Sequence, residues 1–187
     1  LALPVIGGDA RFSSILKTLS SMRVYSIQPY KLRDMQDPDV GNVLRSDGTN
    51  AASVLQELER TDNESMQNIK ELLKKIVPYT QNVTSKKHGN KLSLQFTQNW
   101  NEKNELKKNE LKFEGYDMSD GTLRVLGLIL AVFQKQKPSV LVIEEPEATV
   151  HPGALGSVMD LIKIASRTMQ IIVTTHSPEL LNDKWIE

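Results

Sequence analysis

Apolar positions follow three different rhythms along the chain. In the last third, Val-Leu-Val-Ile (140–143) and Ile-Ile-Val (171–173) are short unbroken runs separated by a helix-length segment. That is the pattern of buried parallel strands. Just upstream, residues 123–133 carry apolar side chains on nearly every face, with Arg124 the only charge. Such a segment predicts a helix buried all round rather than an amphipathic one. The first hundred residues read as scaffold. Phe12, Ile15, Leu16, Leu19 and Met22 recur at helical spacing, and residues 23–28 read as a strand closed by Pro29. Residues 34–48 form a polar loop rich in Asp, Pro and Gly. Residues 50–60 and 64–77 read as two helices, the second stopped by Pro78. Segments 83–97 and 104–114 alternate as antiparallel strands or long hairpins, with Asn-Glu-Lys-Asn (101–104) as the turn.

How the late runs end matters more than the runs themselves. The first delivers Glu144, Glu145, Pro146 and Glu147; the second delivers Thr174, Thr175 and His176. Ligands of open α/β sheets sit at the carboxyl ends of strands. Successive strand side chains point to opposite faces, so Glu144 and Glu145 are expected to do different jobs, one facing a metal–phosphate group and the other an attacking water. Ser119 is placed to cap the buried helix, and Gly121 to let its backbone come close to a ligand. A helix start of this kind is a ready anion site.

Composition narrows the classes. The 187 residues carry 23 basic and 23 acidic side chains, so no global charge favours nucleic acid. Lys74-Lys75, Lys86-Lys87-His88 and Lys107-Lys108 read as solvated basic spots. The absence of cysteine excludes disulfides and thiolate metal sites and suits a reducing cytoplasm. No apolar run approaches membrane-spanning length, and no signal peptide is visible.

Taken together, the motifs resemble the C-terminal part of an ABC-type ATPase head of the SMC/RecF-like kind. The closest likeness is to the "predicted ATPase" (AAA ATPase) group related to the overcoming-lysogenization-defect proteins. Met-Ser-Asp-Gly-Thr (118–122) matches the signature position, Leu-Ser-Gly-Gly-Gln in transporters. Residues 140–145 match Walker B, 146–152 the segment around the D-loop, and Thr-Thr-His-Ser-Pro (174–178) the switch-histidine motif. The motif-bearing likeness covers residues 113–182, and residues 42–58 also look like a segment common in that group. Four motifs in order and spacing make a specific signal. Two departures stand out: Asp120 and Thr122 replace the first glycine and the glutamine of the signature, and Glu144 replaces the usual Walker B aspartate.

The resemblance implies an α/β, P-loop NTPase-like fold with parallel strands, flanking helices and an antiparallel β layer. It also implies a single incomplete head domain over 1–187, with scaffold in 1–112 and the motif core in 113–187. ATP and Mg²⁺ are the implied cofactors. Glu145 would polarise the water that attacks the γ-phosphate, Glu144 would hold Mg²⁺, and His176 would sense the γ-phosphate. Ser119, Asp120 and Gly121 would meet nucleotide held by the opposite subunit of a head-to-head homodimer, with His151 near where the D-loop meets that partner. DNA repair or phage defence, with DNA or a nuclease as partner and no membrane, is the expected setting. Arg124 reads as a structural charge rather than an arginine finger.

Nowhere does the sequence contain G-x-x-x-x-G-K-[ST], the loop that holds a triphosphate. The expectation is therefore a fragment, or half of a split ATPase, that binds ATP weakly or not at all on its own. Two other readings compete. One is a regulatory module that keeps the motifs without turnover. The other is a metal-dependent nuclease using Glu144, Glu145, Glu147 and His151, which lacks a second acidic cluster to complete a two-metal site. Simpler roles compete at single residues. Glu147 reads equally as a salt bridge or cap, and His151-Pro152 as a plain helix start. Ser46-Asp-Gly-Thr49, a copy of residues 119–122, reads as a capped turn, and Asp37-Pro-Asp39 as a turn rather than a metal motif.

Overall fold

The computed structural model describes residues 10–100 and 109–181. The expected turn at 101–104 and the Lys107-Lys108 spot lie outside the described residues. In chain order the elements are α1 (Ala10–Ser20), β1 (Arg23–Tyr25), α2 (Pro29–Arg33), α3 (Ala51–Thr61), α4 (Asn63–Ile76), β2 (Thr80–His88), β3 (Lys91–Trp100) and β4 (Asn109–Glu114). A 3₁₀ turn (Gly115–Asp117) then leads into α5 (Asp120–Phe133), β5 (Val140–Glu144), α6 (Pro152–Ala165) and β6 (Gln170–Thr174). The fold is α/β, with a parallel sheet in the order β1-β5-β6 and an antiparallel one in the order β2-β3-β4.

Helix α5 joins the two layers. Every residue from Thr122 to Val132 is buried, because α5 packs against α2, α3, α4 and α6. The continuous apolar run required that environment, and one face of the parallel sheet, through Tyr25, Leu141 and Ile143, completes the core. At Gly127 an added Cβ would lie 2.6 Å from Ile27 Cγ2. The missing side chain is therefore what lets the segment after β1 press onto the helix.

Strand β1 is shorter than residues 23–28 suggest. After Tyr25 the backbone leaves the sheet and pairs with the 34–50 loop, Ser26 N–H donating to Ser46 O (2.9 Å) and Gln28 N–H to Asp47 O (3.0 Å). The Ser46-Asp-Gly-Thr49 copy is thus an edge turn, with Thr49 N–H donating to Asp47 Oδ1 at 3.0 Å. Pro29 opens α2 rather than merely ending the strand. Segment 83–97 is two strands, turned at Gly89 and Asn90. Asp39 accepts from Gly41 N–H (2.9 Å) and the Asn50 amide (2.9 Å), as a loop organiser does. Buried Gln134 locks this loop to the end of α5: its Oε1 accepts from Leu44 N–H (2.8 Å) and its Nε2 donates to Ala131 O (2.7 Å).

Candidate functional site at the parallel-sheet edge

Strands β5 and β6 run parallel with Glu144 opposite Thr174, so both exits open on the same end of the sheet. Immediately after Glu144 the chain enters a left-handed residue, Glu145 at φ 46°. Its N–H donates to Thr174 O at 2.9 Å, and its own carbonyl accepts from Ala148 N–H at 3.0 Å. This turn, rather than strand alternation, separates the directions of the two glutamates. Left-handed backbone disfavours a side chain with a Cβ by about 1–2 kcal/mol, so the surroundings must hold Glu145 there.

Arg124 is the principal holder. Its guanidinium donates to Ile27 O (2.7 Å), Glu145 O (3.1 Å) and Glu144 O (3.4 Å). One buried cation thereby fixes both the exit of β5 and the segment after β1. Burial pulls its pKa below the ordinary arginine value, and the charges of Glu145 and Glu147 oppose that shift. The expectation of a charge paired within the domain thus has a specific form, a clamp on main-chain carbonyls.

His176 lies two residues beyond the end of β6, not in the strand. Its Nε2 is 3.7 Å from Glu145 Oε1, with the imidazole 92% exposed and the carboxylate 49% exposed. Glu147 organises the turn that carries it. One oxygen, Oε1, accepts from the Thr175 hydroxyl (2.6 Å) and from His176 N–H (3.2 Å). Thr175 Oγ1 in turn accepts from Ser177 N–H at 2.9 Å. Ser26, Arg124, Glu144, Glu145 and Thr174 line a cavity of about 320 Å³ beside this turn. Sequence reasoning left Glu147 between salt bridge and cap. The signal available was a carboxylate three residues past a strand exit, but its partners come from the exit of another strand.

The signature residues sit differently. Ser119 caps α5, its Oγ accepting from Thr122 N–H (3.2 Å) and lying 3.0 Å from Thr122 Oγ1. Asp120 is exposed and ion-paired with Arg33, which also donates to Met118 O at 3.1 Å. A Cβ on Gly121 would meet Thr149 O at 2.5 Å. On the side where a Cβ would stand, Gly121 thus admits the chain's own loop after β5. His151 is the N-cap of α6, its Nδ1 accepting from Gly153 N–H at 3.0 Å, so the plain helix-start reading describes its contacts.

Glu144, the last residue of β5, is exposed. Among the described residues no group of three or more His, Asp or Glu side chains is arranged to hold a metal ion. The structure thus brings Glu145, Glu147 and His176 together, while His151 caps α6. Among the described residues no helix is long and apolar enough to cross a membrane.

A family described as "AAA domain, putative AbiEii toxin, Type IV TA system" matches residues 25–182. None of the curated proteins matches the chain. Among solved structures, one is an SMC ATPase from work on "ATP-driven dimerization and DNA stimulated activation of SMC ATPases". It is 20% identical, with 66% of this chain and 74% of that chain covered, at a TM-score of 0.49. The Smc head domain with a coiled coil and joint from Pyrococcus yayanosii is 20% identical over 64% of this chain and 23% of that one (TM-score 0.45). The Smc head with an extended coiled coil bound to the C-terminal domain of ScpA, from Pyrococcus furiosus, is 20% identical over 64% and 30% (TM-score 0.46). The chain therefore spans about three quarters of the first of these chains and less than a third of the other two.

Proposed function

We propose that this chain, which belongs to the AAA-domain family matched over residues 25–182, supplies the hydrolytic half of an ATPase head of the SMC/RecF-like kind. The single observation that carries the reading is the approach of Glu145 and His176, from the exits of adjacent parallel strands, to 3.7 Å. In this reading Glu145 accepts a proton from the attacking water as the water adds to the γ-phosphorus of ATP, and ADP leaves as the bond to the β,γ-bridging oxygen breaks. His176 donates a hydrogen bond to a γ-phosphate oxygen and reports its departure. Glu144 would hold Mg²⁺, whose charge would offset that of the triphosphate.

The signature residues act on a second copy. Ser119 and the free N–H groups at the start of α5 meet the γ-phosphate bound by the partner, and the helix dipole favours that anion. Asp120 would repel phosphate if left bare, and its ion pair with Arg33 offsets that repulsion. The G-x-x-x-x-G-K-[ST] loop that grips the β- and γ-phosphates in heads of this kind is not among these 187 residues. His151, at the start of α6, lies where the two copies meet. DNA repair or phage defence, in the cytoplasm, is the task such a head would serve.

Glu145→Gln tests the reading in the assembled ATPase. The expected result is ATP-dependent dimerisation retained, by light scattering or sedimentation, with turnover reduced by about 10²–10⁴-fold, the range of a lost general base. Unchanged hydrolysis would refute the assignment of Glu145. Mg²⁺-dependent cleavage of DNA in the absence of ATP would favour the nuclease reading instead.

A further inference from the structure

We propose that Glu147 is the positioning residue that fixes His176 against Glu145, and that it does so through a single carboxylate oxygen. The inference rests on the reading of Glu145 and His176 as the reactive pair, but its geometry stands apart from any nucleotide chemistry. His176 is almost fully exposed, so packing does not orient it. What holds its backbone is Glu147 Oε1, which accepts from the His176 amide at 3.2 Å and from the Thr175 hydroxyl at 2.6 Å. That hydroxyl hands the constraint on to Ser177 N–H at 2.9 Å. Three consecutive residues are thereby tied to one carboxylate on the neighbouring strand exit.

The carboxylate is itself fixed from behind. Val150 N–H donates to Glu147 O at 3.0 Å, and Ala148 N–H to Glu145 O at 3.0 Å, so Glu145 and Glu147 belong to one turn. The second oxygen, Oε2, is buried and takes no donor among the described residues. The Arg124 guanidinium lies close enough to feel the charges of both Glu145 and Glu147. A charged acceptor makes the shorter and stronger hydrogen bonds, and here it makes two at one oxygen. The turn after β5 and the turn after β6 therefore move as a unit. Anything that shifts Glu147 shifts His176 relative to Glu145.

Amide hydrogen exchange reads this without ATP. In Glu147→Ala the His176 amide is expected to exchange about ten-fold faster or more, the loss of one charge-assisted hydrogen bond. The Leu126 and Leu130 amides in buried α5 should keep their protection. Glu147→Gln, which keeps an acceptor oxygen, should leave His176 within about three-fold of wild type. In the assembled ATPase, Glu147→Ala should lower kcat about ten-fold or more with KM for ATP little changed, and Glu147→Gln should recover most of that loss.

If Glu147→Ala fails to fold, Thr175→Val replaces it, and faster exchange at Ser177 is then the expected result. An unchanged His176 amide in Glu147→Ala, or an unchanged Ser177 amide in Thr175→Val, overturns the proposal. Should Glu145→Gln leave hydrolysis untouched, the ATPase reading falls, and the exchange rates still decide the role of Glu147.

Discussion

The two sheets are finished in opposite ways. In the antiparallel sheet, Val83, Leu92, Leu94 and Phe96 are buried beneath α3 and α4, which pack on β2. The polar side is satisfied around Glu114, which accepts from Lys86 (3.0 Å), Ser93 (2.8 Å) and Gln95 (2.9 Å). Among the described residues, the parallel sheet is buried on one face. On the other, Val24 and Ile172 are 49% and 44% exposed and stand in register with Val142 between them. At its carboxyl end it carries a left-handed glutamate, a buried carboxylate oxygen without a donor among the described residues, and an exposed histidine. The antiparallel sheet also leaves buried oxygens of Asn82, Ser85 and Asn99 without a partner among the described residues. What sets the parallel edge apart is therefore the acid and the exposed imidazole brought together at its strand exits.

That contrast can be broken by mutation. The largest loss of stability is expected in the scaffold: Leu55→Ala, at a fully buried site in α3, should cost about 2–5 kcal/mol. Its denaturation midpoint should fall, and the exchange rate at His176 should follow only through global opening. A smaller loss belongs to the joint between the regions. In Gly121→Ala the new methyl would sit 2.5 Å from the Thr149 carbonyl, so about 1–3 kcal/mol should be lost as the helix start and the loop after β5 move apart. At the reactive end the sign should reverse. Glu145→Gly relieves a left-handed side chain worth about 1–2 kcal/mol and adds unfolded-state freedom worth about 0.5–1 kcal/mol. Thermal melting should therefore show a slightly more stable protein. A less stable Glu145→Gly protein would mean that the glutamate side chain is structural and that the two regions do not differ as described.

Legibility in the sequence follows the same division. Helix α5 was readable because an apolar run with one charge admits few alternatives to burial, and β5 and β6 were readable for the same reason. Strand β1 was misread in length, because residues 26–28 pair with a loop about twenty residues away, which no local periodicity reports. The single hairpin-like segment 83–97 hid its own turn, since Gly89-Asn90 interrupts the alternation for only two residues. At the site, the pairing of Glu145 with His176 was legible as two strand exits on one edge. The functions of Arg124, Gly121 and Glu147 were not, because each is defined by a main-chain group from a distant segment: the carbonyls of residues 27, 144 and 145, the carbonyl of Thr149, and the amide of His176. A lone buried arginine announces that it needs partners, but not which ones.

The most direct test of the reactive edge is a structure of the assembled protein trapped with Mg²⁺ and a non-hydrolysable ATP analogue. The account predicts the terminal phosphate between Glu145 and His176 of one copy, capped by the Ser119–Gly121 helix start of the other. Nucleotide bound elsewhere, with Glu145 and His176 still open to solvent, would contradict it.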